Sequence, residues 1–88
     1  METLTLSNKL LEIKFLNQYS LGKRQFQQAQ LRNVNLGKQL LNRVDFIKSI
    51  LDNANFEKAK LSDSDFKKTN LINANFKFSK VERVNFEG

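Results

Sequence analysis

The chain has 88 residues, room for one small domain, and a formal net charge of +6, with 40% hydrophobic and 27% charged residues. That balance excludes a fully disordered tail, and no apolar run approaches the ~20 residues a bilayer span needs. It contains no Cys and no His, which removes disulfides, thiolate or imidazole metal sites and the usual general base; no cofactor is expected and an enzyme is disfavoured.

The N-terminal segment METLTLSNKLLEIKF lacks the basic start and uninterrupted apolar core of a signal peptide, so the expected location is cytoplasmic. Residues 1–23 read as a leader. Two sets fit helical spacing: Leu6, Leu10, Ile13 and Leu16, and Leu10, Leu11, Phe15 and Tyr19. Ser7 suits an N-cap and Gly22 a C-terminal stop, so a helix is predicted over about 8–20. Its expected role is to cap the remainder of the chain.

Residues 24–88 repeat. Phe26, Leu31, Leu36, Leu41, Phe46, Leu51, Phe56, Leu61, Phe66, Leu71, Phe76, Val81 and Phe86 recur every five positions without a slip. Two residues before each lies a second column, small or β-branched apart from Arg24 and Gln39. The residue between is mostly Asn or Asp. A helix would spiral a period of five around all its sides, and one long strand would alternate it between faces. A chain turning a corner every five residues puts both columns inside. Large residues twenty apart are mostly identical, as in Phe26, Phe46, Phe66 and Phe86, whereas those fifteen apart almost never are. Three sides are thereby disfavoured. Two and four remain, and two leave little room for Phe and Leu.

The units Ala54-Asn55-Phe56, Ser64-Asp65-Phe66, Thr69-Asn70-Leu71, Ala74-Asn75-Phe76 and Val84-Asn85-Phe86 resemble the pentapeptide-repeat family, whose pattern is A-[DN]-[LF]-x-x. The leader FLNQYSLGKRQF is similar to the helix in front of cyanobacterial domains of that type. The resemblance implies an all-β solenoid: a right-handed quadrilateral β-helix of a little over three coils, with four pentapeptides per coil and the leader as N-terminal capping α-helix. Stacked Asn columns are then expected to bond along the rod.

The carboxylates Asp45, Asp65, Asp63 and Glu82 fall on outward positions of a convex rod, with no cleft to desolvate them. With the sides numbered in chain order from those of Phe26, Leu31, Leu36 and Leu41, the cations Arg43, Lys60, Lys80 and Arg83 share the fourth side, interrupted by Asp63 and Glu82, and the aromatic rings point inward, so nucleic-acid binding is the weaker alternative. Some members of the family mimic DNA to bind gyrase, but that requires an acidic surface. The expected function is a non-enzymatic protein-interaction or scaffold module with an unidentified protein partner and no membrane contact. Ile47, Ile50 and Ile72 are the candidate partner surface, and Leu40 and Phe78 are further outward apolar residues. Phe86 marks a candidate dimer end at the C-terminal coil.

Overall fold

The structure of the chain, a computed structural model, describes residues 2–88. It opens with one helix, α1, spanning Glu2–Ser20. The helix starts well before the expected 8–20, and Ser7 lies inside it, exposed rather than capping. No Gly or Pro interrupts residues 2–8, and Glu and Leu favour helix enough to carry an exposed Ser. Gly22 does end it. At φ +103 it lets Lys23 N–H reach the Gln18 carbonyl (3.0 Å) and its own N–H reach that of Tyr19 (2.9 Å), a Schellman motif.

Beyond Gly22 the chain returns to register every twenty residues. Parallel bridges join Gln25 to Asp45, Asp65 and Asn85 in turn, and Gln30, Asn35 and Leu40 begin three more such columns. Five-residue segments in a twenty-residue register make four sides per coil. In each step one amide bonds forward, as from Phe46 N–H to the Asp65 carbonyl (2.8 Å), and its neighbour bonds back, as from Asp45 N–H to the Arg24 carbonyl (2.8 Å). These contacts are single-residue bridges; no continuous strand forms among the described residues. Each side is only a few residues long between corners, so the strands implied by an all-β solenoid are reduced to one bridging residue.

The corners explain the repeat. A Ser49 N–H to Phe46 carbonyl bond (2.9 Å) closes a four-residue turn, with Lys48 at φ +60 in its third place, the signature of a type II turn. Among the described residues, twelve other than glycine share this left-handed conformation, including Asn33, Asn53, Asn73, Arg43, Lys58 and Phe78. The Asn or Asp in mid-unit serves the same corner: Asp45, Asn55, Asp65, Asn75 and Asn85 each accept the N–H two residues on, at 2.9–3.0 Å. The expected Asn ladder is a minor feature beside this; Asn55 Nδ2 donates to Asn35 Oδ1 at 3.0 Å.

The core fills the coils. Leu36, Leu41, Phe46, Leu51, Phe56 and Leu61 are fully buried, as are Ala54 and Ala59 in the small column. Phe46 and Phe66 stack at 5.1 Å between centroids, Phe56 and Phe76 at 5.0 Å, and the two columns meet edge to face at 5.7–6.4 Å. Buried Ser49 and Ser64 staple coils together. Ser64 Oγ donates to the Leu41 carbonyl and accepts from Val44 N–H, both at 3.0 Å.

Helix α1 closes the first coil. Phe15 is buried, 4.4 Å from the Phe26 ring and 5.5 Å from that of Phe46. Glu12 accepts the Asn35 N–H at 2.9 Å, the bond a preceding coil would otherwise supply, and is paired with Lys9 at 3.0 Å. Arg24, too large for its inward column, lies 3.8 Å over the Tyr19 ring and donates to the Tyr19 carbonyl at 2.9 Å. No helix of the described residues is long and apolar enough to cross a membrane.

Candidate functional site

Among the described residues the exposed large apolar side chains gather at two places, the outer face and end of α1 (Leu6, Leu10, Leu11, Ile13 and Leu21) and the last coil, with Leu40 apart from both. Phe66 and Leu61 are buried, but one coil on, Phe86 is 46% and Val81 39% exposed, and Leu71 and Phe76 are half-buried. Ile72 and Phe78 stand on the rim of this end, 66% and 81% exposed. Phe78 does so from a left-handed backbone that a bulky residue rarely adopts. The backbone changes at the same place. Leu51, Phe56, Leu61 and Phe66 each donate an N–H to the following coil at 2.7–2.8 Å, whereas the amides of Leu71, Phe76, Val81 and Phe86 make no such bond among the described residues. Phe86 itself still stacks on Phe66 at 5.4 Å.

The three isoleucines are less uniform. Ile72 is well exposed, while Ile47 and Ile50 are half-buried. Ile50 bridges Gln30 and Asn70, so it does not stack on Ile72; Asn70 stands between them and accepts the Ile72 N–H at 3.1 Å. Beside them, Arg32 Nε lies 2.9 Å from both carboxylate oxygens of Asp52. Leu40 is 59% exposed on the fourth side.

The outward carboxylates are occupied. Asp45 takes the Ile47 N–H and the Gln27 side-chain amide (2.7 Å), and Asp65 takes the Lys67 N–H. Asp63 is gripped by Arg83 at 2.6 and 3.1 Å; this hydrogen bond, with the charges of Arg83 and Arg43, holds its carboxyl below the ordinary range, and the same bond, with the charges of Asp63 and Glu82, raises the Arg83 guanidinium. Among the described residues no cluster of His, Cys, Asp or Glu could hold a metal ion.

The fourth side carries a cleft of about 740 Å³ that the repeat pattern does not reveal. Asn42 and Ser62 lie along it, with Lys60 and Lys80 towards one flank and Arg43 and Arg83 towards the other; Tyr19 and Arg24 close the helix end. Its signal was the Arg43, Lys60, Lys80 and Arg83 set, but a flat side was expected to hold no cavity. The short Ser62 amid long side chains, and the end of α1 above it, make one.

No curated protein matches the chain. A family model described as a pentapeptide repeat region matches residues 19–88. That match covers the repeat, the corners and the end of the capping helix, and by it the chain belongs to the pentapeptide-repeat family.

Proposed function

We infer that the protein is a non-enzymatic interaction module that works by docking the face of its last coil onto a second copy of itself. The reading takes the coils as a right-handed quadrilateral β-helix, residues 24–88, with residues 1–23 as its cap. Family membership supports a non-enzymatic repeat protein. The observation that carries the docking is the coincidence, at one end, of exposed Ile72, Phe78, Val81 and Phe86 with four amides that make no inter-coil bond. Apolar area and edge donors together favour addition of a further bridged layer, and a two-fold arrangement closes the assembly at two copies. Ile47 and Ile50 extend the surface towards a further protein partner.

The test is light scattering across low to high micromolar concentration. The expected result is a dimer that Phe86→Asp converts to a monomer while the circular dichroism of α1 is unchanged. A wild-type monomer throughout that range defeats the reading. For the second side, Ile50→Thr with Ile72→Thr keeps β propensity and removes apolar area; self-association as tight as wild type removes Ile72 from the contact.

A further inference from the structure

We propose that the cleft on the fourth side binds a small ligand through a phosphate group. Its volume, about 740 Å³, lies in the range of small-molecule sites. The cations around it are not equally engaged. Arg83 is committed to Asp63 and lies 3.7 Å from Glu82, and Lys80 is also 3.7 Å from Glu82. Arg24 is spent on the carbonyls of Tyr19 and Lys23. Arg43 and Lys60 form no ion pair among the described residues. Asp63, though bonded to Arg83, also feels the charge of its other neighbour Arg43, so the cleft keeps a positive excess of five cations over two carboxylates rather than a bare cationic stretch.

Between Arg43 and Lys60 lies Ser62. Arg43 N–H donates to the Ser62 carbonyl at 3.0 Å, and Lys60 is two residues before Ser62 on the same coil. Ser62 Oγ is the one buried side-chain polar atom without a hydrogen-bond partner among the described residues. A shielded hydroxyl left unbonded carries a cost that a ligand oxygen would relieve. A guanidinium fork, an ammonium and a hydroxyl on adjacent coils are three kinds of donor for one anion. A tetrahedral phosphate offers three terminal oxygens to such a set, whereas the two oxygens of a carboxylate are satisfied by the arginine alone.

A nucleic-acid strand fits less well. Asp63, stacked between Arg43 and Arg83, and Glu82, one coil further from the helix, break any run of cations, and the nearest ring, Tyr19, is already covered by Arg24. The gap between Arg43 and Lys60 suits one phosphate, not a run of them.

The experiment titrates the ¹⁵N-labelled full chain with inorganic phosphate and then pyrophosphate at low chloride. Saturable amide shifts are expected at Asn42, Arg43 and Ser62 only. Arg43→Gln and Lys60→Gln should each weaken binding roughly tenfold, the loss of one charge-assisted contact. Both side chains are outward, and Ser62→Ala provides a third variant that removes only the unbonded hydroxyl and should also weaken binding. Shifts of equal size around Arg32 and Lys48, no saturation by roughly 10 mM, or undiminished binding in all three variants would overturn the proposal. A single-stranded oligonucleotide bound more tightly than pyrophosphate would overturn it too, assigning the cations to a polymer.

Discussion

Ser62 and Ser64 are two residues apart in one coil, yet their hydroxyls have opposite fates. Ser64 Oγ is held by the Leu41 carbonyl and the Val44 N–H of the coil before it. Ser62 Oγ is shielded and holds nothing. Replacing Ser64 by Ala strands two buried backbone groups and should cost about 1–3 kcal/mol. Replacing Ser62 by Ala strands none and removes a shielded, unbonded hydroxyl, so stability should be unchanged or rise by up to about 1 kcal/mol. Paired urea unfolding curves check both; equal losses would mean that the Ser64 staple contributes nothing. The small inward column thus has two uses. Ala and Val there fill space, while Ser49, Ser64 and Thr69 also bond the preceding coil, Thr69 Oγ1 reaching the Phe46 carbonyl at 2.6 Å.

Helix α1 does for the first coil what each coil does for the next. Phe15 supplies a ring above Phe26 and Phe46, and Glu12 supplies the acceptor for the Asn35 amide. Phe15→Ala should cost roughly 3–5 kcal/mol by hollowing the top of the aromatic column. Glu12→Leu should cost about 1–3 kcal/mol and speed hydrogen exchange at the Asn35 amide, while Glu12→Gln, which keeps an oxygen acceptor, should leave that exchange near wild type. The helix itself was legible from its spacing, but not which of its two apolar stripes faces in. The structure turns Phe15, Leu16 and Tyr19 inward and leaves Leu6, Leu10 and Ile13 more than half exposed. The aromatic stripe faces in because its rings continue the column of Phe side chains. Glu12 was not legible at all. Its partner is twenty-three residues away and becomes a neighbour only once the coil register exists.

The molecule as a whole is a short stack of coils, 37 × 29 × 24 Å, with its first coil covered by α1 and its last coil exposed. Phe66→Ala, inside the rod, should cost roughly 3–5 kcal/mol, and Phe86→Ala distinctly less in a monomer because its ring is 46% exposed. If a second copy covers Phe86, its cost rises with protein concentration, which melting curves at several concentrations would reveal. The four-sided register was readable because one period persists through every unit from Phe26 to Phe86. The corners were half readable. Asn33, Asn53 and Asn73 are residues that tolerate a left-handed backbone, but Lys38, Lys48, Lys58 and Phe78 adopt it without that tolerance, since the turn hydrogen bonds impose it on whatever residue is there. The cleft was unreadable because it needs side chains from three coils and a helix end together. That same register makes the gene's tolerance of length changes arithmetic. Loss of twenty residues from the middle would shorten the rod by one layer and leave every column matched. Loss of five, such as residues 46–50, would keep every large side chain inside yet rotate the rest of the rod by a quarter turn. Arg43 would then stack on Lys68 instead of Asp63, so a folded protein would emerge with a different surface.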